Sequence, residues 1–95
     1  MWITVLRLEL LIPGSRSLKD RRQAVKSLKE RIRNRYDVAC AEIGDLNNWN
    51  RASLGISAVA NEKSLLQDLA SDIARYAQND ANAQLTGFQK DFLNY

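Results

Sequence analysis

From Trp2 to Ile12 the residues alternate without interruption. Trp2, Thr4, Leu6, Leu8, Leu10 and Ile12 fall on one side, and Ile3, Val5, Arg7 and Glu9 on the other. A period of two is the signature of a β-strand, and a strand with one apolar face has to cover that face with a second layer of structure. The rest of the chain supplies the layer. Pro13 and Gly14 end the strand, Ser15 and Arg16 continue the turn, and Ser17 with Asp20 three residues later has the spacing of a helix capping box. The spacing predicts a helix from Leu18 to about residue 34, with Leu18, Ala24, Val25, Leu28 and Ile32 as its buried stripe.

A short β-rich run from Tyr36 to Ile43 leads into the polar stretch GDLNNWN, which reads as a hairpin loop. Arg51 to Ala60 alternates again. Ala52, Leu54, Ile56, Ala58 and Ala60 point inward, and Arg51, Ser53, Gly55 and Ser57 outward. Asn61 has the chemistry of an N-cap for a second amphipathic helix, whose Leu65, Leu66, Leu69, Ile73, Tyr76 and Ala77 share a face. Ala83 to Tyr95, with Phe88, Phe92 and a kink expected at Gly87, completes the set as a fourth strand.

Strand, helix, strand, strand, helix, strand is the order of the ferredoxin-like α+β sandwich, in which an antiparallel four-stranded sheet carries two helices on one face. Each helix here has a single apolar stripe, so both must lie on the same face of the sheet. The opposite face is then open and carries Ile3, Val5, Arg7, Glu9, Ser53, Gly55 and Ser57. At 95 residues the chain is expected to form one domain, with a core too shallow to enclose a large cofactor. Any site is therefore expected on the surface.

Composition removes whole classes of chemistry. Histidine is absent, which takes away the commonest general base and zinc ligand. The single cysteine, Cys40, can form neither an internal disulfide nor a CxxC pair, and it reads as a small buried hydrophobe. No Walker loop, GxSxG elbow or RNA-recognition-motif signature is present. An enzyme would have to work with Glu9 or Glu42 and Arg7 or Arg21, and no spacing singles out a pair. No enzyme activity, metal or cofactor is expected. The first residues are interrupted by Arg7 and Glu9 and lack a basic leader, so a cytoplasmic protein with no membrane partner is expected.

The charge is distributed unevenly. The whole chain carries +3, yet residues 16–35 hold nine basic residues against Asp20 and Glu30, a net +7, which leaves −4 for everything else. On a helix, Lys19, Arg22, Lys26, Lys29 and Arg33 fall within an arc of about 80° beside the apolar stripe. Such a line can follow a phosphate backbone, and it can equally be a solvated face that keeps the protein soluble. The placement argues for the first. Lys19, Arg21 and Arg22 lie at the positive pole of the helix dipole, where an exposed cation costs about 0.3–1 kcal/mol. Arg16, Ser17, Lys19, Arg21, Arg22, Lys26, Lys29 and Arg33 are thus the expected nucleic-acid- or anion-binding set. Within it Arg21 lies on the apolar arc, and an ion pair with Glu9, Glu42 or Asp45 is the simpler expectation for that residue. Trp49, set among Asn47, Asn48 and Asn50, is either a base-stacking platform or a lid folded on the core edge.

The run LRLELLIPGSRSLKDRRQAVKSLKERIRNRYDVACAEI, with Trp49 and RASLGISAVAN after it, resembles the YlxP-like family of small bacterial proteins, a domain of unknown function. The likeness covers residues 5–61, and IPG followed by SLKDRR is its most specific part. It implies a ferredoxin-like α+β fold. Genes of that family lie near those for translation initiation and ribosome maturation factors, which implies a role around the ribosome. The residues characteristic of the family fall here on Pro13, Gly14, Ser17, Leu18, Lys19, Asp20, Arg21, Arg22, Val25, Lys26, Arg31, Arg33, Glu42, Trp49 and Gly55. The loop GDLNNWN departs from the family, where a Leu-Trp-Gln run is more usual.

Two functions are expected from these readings. One is a binding protein that docks on structured RNA, with ribosomal RNA or the ribosome as partner, through the phosphates and with little sequence selectivity. The other is a regulatory module that forms a homodimer through the open sheet face or edge and binds a small anion at the start of the first helix.

Overall fold

The computed structural model describes residues 1–95. Its elements are β1 (Trp2–Leu11), α1 (Leu18–Tyr36), β2 (Ala39–Ile43), β3 (Arg51–Ala60), α2 (Lys63–Gln78) and β4 (Gln84–Asn94). The strands form one sheet in the order β2-β3-β1-β4, with every neighbouring pair antiparallel. This is the ferredoxin-like layout that the element order predicts. Thr4, Leu6, Leu8 and Leu10 of β1 and Ala52, Leu54 and Ile56 of β3 are buried beneath the helices. Val25, Leu28 and Ile32 of α1 and Ala70, Ile73 and Ala77 of α2 close the same core from above.

Register fixes the uncovered face. Val5 stands opposite Ser57, Arg7 opposite Gly55, and Glu9 opposite Ser53, so these residues share the side away from the helices, as the alternation predicts. There Glu9 accepts hydrogen bonds from Arg7 Nε and Ser53 Oγ.

The boundaries differ from expectation in ways that tertiary packing explains. Tyr36 does not open β2; it is the last residue of α1, and β2 starts at Ala39. Its ring meets that of Tyr76 on α2 edge-on, with centroids 6.0 Å apart, and this contact outweighs the β preference of tyrosine. The helix stops at Asp37, which adopts the left-handed conformation (φ 52°, ψ 53°) and donates its N–H to the Arg33 carbonyl. A non-glycine residue there is strained, and its carboxylate sits at the negative pole of the helix. Asp37→Gly should therefore raise stability by about 0.5–1 kcal/mol in urea unfolding.

Ser17 caps α1 as predicted, accepting from the Asp20 N–H at 3.1 Å, while Asp20 reaches back to the Arg16 N–H rather than to Ser17. The cap expected at Asn61 does not form. Glu62 occupies that position and makes no side-chain capping bond. Helix α2 is held instead by the stripe Leu66, Ala70, Ile73 and Ala77, and Leu65, which is turned off that stripe, is exposed. In β4 the register slips between Glu9 and Leu10: Gly87 faces Glu9, Leu85 faces Leu10, and Thr86 is left over as a bulge. The expected kink thus falls beside Gly87. A Cβ on Gly87 would come within 3.3 Å of Cβ and Cγ of Glu9, so any larger residue there needs the glutamate stem to give by a few tenths of an ångström.

Two carboxylates make the fold sensitive to acid. Glu9 is held below the usual carboxylate range, first by the Ser53 hydroxyl and then by Arg7. Burial works to raise the Asp80 value, but the Arg31 guanidinium and the N–H groups of Asn82 and Ala83 outweigh it and the net shift is downward. A depressed value means that each group stabilises the fold above its unfolded pKa of about 4, and that this support is lost as pH falls through the folded value. Urea midpoints should drop between about pH 6 and pH 3. Asp80→Asn should shrink that difference.

Candidate nucleic-acid interface

The buried stripe of α1 fixes where its charges point. Arg31 lies on one flank of the stripe and reaches α2, donating to Asp80 Oδ1 at 2.7 Å and to Tyr76 Oη at 3.2 Å. Arg35 lies over the rings of Tyr36 and Tyr76, its guanidinium 5.7 and 5.1 Å from their centroids. The other flank carries Lys19, Arg22, Lys26, Lys29 and Arg33, and it faces away from α2 toward the edge strand β2. There Arg33 lines an open groove of about 550 Å³ with Ala39, Cys40, Ala41, Ile43 and Gly55. The line from Lys19 to Arg33 is about 21 Å long at the helical rise per residue.

No acid of the same chain forms an ion pair with this flank, although Glu30 stands one turn from Lys26 on the same helix. Four ion pairs occur in the protein: Arg7–Glu9, Arg21–Glu42, Arg31–Asp80 and Arg75–Asp72. None involves Arg16, Lys19, Arg22, Lys26, Lys29 or Arg33. All six are exposed except Lys29, which is half-buried. The effect of these charges reaches the neighbouring strand, where burial pushes the Cys40 thiol up while Lys29 and Arg33 pull it down. The net shift is upward, so Cys40 is a protonated thiol packed at the core edge at neutral pH.

Arg21 does not belong to the exposed set. It is fully buried, with 0% of its surface accessible. Its guanidinium donates to the Glu42 carboxylate, to the Arg51 carbonyl at 2.9 Å and to the Asp45 carbonyl at 3.3 Å. Of the three acids in its reach on paper, the structure selects Glu42. Its place on the apolar arc was the signal that it turns inward, and a phosphate cannot reach it. Ser17 likewise has a structural task, since its hydroxyl caps the helix by accepting from the Asp20 N–H at 3.1 Å. Beside this helix start is a second groove, of about 410 Å³, between the β1–α1 turn and the loop before β4. Asp20, Gln23, Ser27 and Asn82 supply its polar lining. The only charge there is negative, which does not favour a small anion at the pole of α1.

Trp49 is not a lid. Its side chain stays out of the core and the residue is 54% exposed, as is its loop neighbour Leu46 at 50%. The loop between β2 and β3 is nonetheless fastened down. Ser15 Oγ donates to the Trp49 carbonyl at 2.6 Å, Ile12 N–H donates to the Asn50 carbonyl at 2.7 Å, and Arg21 bonds on either side of it. Ser15 and Leu46 were not marked by their sequence context. The sequence offers only a serine following IPG and an apolar residue in an asparagine-rich loop, neither of which forecasts these positions.

No group of three or more Cys, Asp or Glu side chains is placed to hold a metal ion. No helix is long and apolar enough to cross a membrane. Fold and surface together define a small ferredoxin-like α+β domain whose first helix presents one cationic flank without ion-paired partners. The chain belongs to a family described as "Protein of unknown function (DUF503)", whose pattern matches residues 3–90. It is 36% identical over 55 residues to the "Uncharacterized protein YlxP" of Bacillus subtilis (strain 168). That stretch is 58% of this chain and 60% of the Bacillus protein. Among solved structures, a de novo designed protein, Foldit4, superposes with a TM-score of 0.56 at 13% identity, covering 100% of this chain and 99% of the other. That likeness concerns the fold alone.

Proposed function

We propose that the protein is a non-enzymatic binding protein that docks on structured RNA, with ribosomal RNA as the partner, through the Lys19–Arg33 flank of α1. The observation that carries this reading is that six cations of one helix and its leading turn have no acidic partner, whereas the cations elsewhere on α1 are bonded to acids or stacked on tyrosines. A row of separated cations fits repeated phosphates and carries little information about base sequence. Co-sedimentation with ribosomes tests the reading. The wild-type protein should pellet with ribosomes at low salt and leave them as salt rises, and a variant with Lys19, Arg22, Lys26 and Lys29 replaced by alanine should stay in the supernatant. Equal pelleting of both proteins would refute it.

A further inference from the structure

Trp49 is 54% exposed and lies outside the buried core, yet the loop that carries it is fastened to the turn before α1. The Ser15 hydroxyl holds the Trp49 carbonyl, and buried Arg21 holds the loop at Asp45 and the following strand at Arg51. These bonds lock the loop to the turn from which α1 starts, at the Lys19 end of the cationic flank. That flank faces β2, and the loop continues directly from β2, so the two lie on the same side of the molecule. Of the acids nearby, Glu42 is paired with Arg21, while the carboxylates of Asp45 and Asp20 are held by backbone N–H groups, those of Asn47 at 2.9 Å and Arg16 at 3.1 Å.

We infer that Trp49 stacks on an unpaired base of the RNA, next to a helical segment whose phosphates lie along α1. This deepens the proposed function and rests on it. A flat aromatic face at one end of a row of cations matches a nucleotide at a duplex end: phosphates go to the ammonium and guanidinium groups, and the base goes to the ring. Paired bases of A-form RNA are closed to such a contact, whereas splayed ones are open to it. Ser15 and Arg21 are positioning residues that hold the backbone of the loop carrying the ring beside the start of α1. The site therefore prefers a duplex with a single-stranded extension over a blunt one.

The test uses the full chain with Trp2→Phe, which leaves Trp49 as the sole tryptophan. The probes are a short blunt RNA duplex and the same duplex with an adenosine tail. The tailed probe should bind roughly ten- to a hundredfold more tightly and quench the Trp49 emission, whereas the blunt probe should leave the emission unchanged. Trp49→Ala should abolish the preference and Trp49→Phe should keep part of it, with the salt dependence for the blunt duplex the same in all three proteins. Blunt-duplex binding with no preference for the tail, or a preference that survives Trp49→Ala, would overturn this inference and leave the docking of α1 intact. If neither probe binds, both readings fall.

Discussion

Arg21→Ala should cost the fold about 3 kcal/mol, in the range found when one member of a buried ion pair is deleted. The arginine is wholly inaccessible and satisfies three acceptors, the Glu42 carboxylate and the carbonyls of Asp45 and Arg51. Truncation leaves the carboxylate without its cation, strips both carbonyls of their donor, and opens a cavity where the side chain packed. For a chain of this length the melting temperature should fall by about 12–24 °C. Arg21→Lys keeps the charge but not the forked geometry, so it should recover only part of the loss. Glu42→Gln should cost less than Arg21→Ala, because the Glu42 side chain is 21% exposed and water can replace some of its bonds. Thermal unfolding of the three variants checks the order. A loss below about 0.5 kcal/mol for Arg21→Ala would mean that the buried guanidinium is not the strut that joins α1 to β2 and β3.

The second large effect concerns binding rather than stability. Replacing Lys19, Arg22, Lys26 and Lys29 by alanine removes four cations from the flank that faces β2. If each meets one phosphate, the slope of log K against log salt should flatten by about 3 to 4 units, and affinity at low salt should fall by orders of magnitude. The fold should not suffer. Alanine is the better helix former, and Lys19 and Arg22 sit at the wrong pole of the helix dipole, so the variant should unfold at the same urea concentration as the wild type or a higher one. Loss of binding with stability retained separates a flank kept for a polyanion from a flank that is merely solvated. Filter binding across a salt series, paired with urea titration, reads both quantities. An unchanged slope would remove RNA phosphates as the partner of α1.

The two variants divide the basic residues of one helix into opposite roles. How far those roles could be read in advance depended on whether periodicity alone carried them. Lys19, Arg22, Lys26, Lys29 and Arg33 could be grouped from their numbers, because the helical repeat fixes which residues share a flank. Arg21 could be recognised as turned inward for the same reason, but not matched to Glu42, since that pairing depends on where β2 ends relative to α1. Trp49 was open between two fates. Its exposure is decided by bonds from Ser15 and Arg21 to the loop backbone, and those contacts span 34 residues or fewer of sequence without any local pattern. The misplaced cap at Asn61 and the late start of β2 have a common origin. Local preference was outweighed in both places by the fit of the helices against each other and the sheet.

The alternation of β1 and β3, the two helical stripes and the order of the six elements were determined by the chain's own periodicities, which act between near neighbours and need no knowledge of the fold. These fixed the sandwich, the covered face of the sheet and the flank of α1 that bears the charge. The tertiary structure alone decided which cations remain free, because neutralisation depends on distances between side chains far apart in sequence. It also decided that Trp49 stands exposed at the end of that flank, since a loop is placed by the groups that hold it rather than by its own residues.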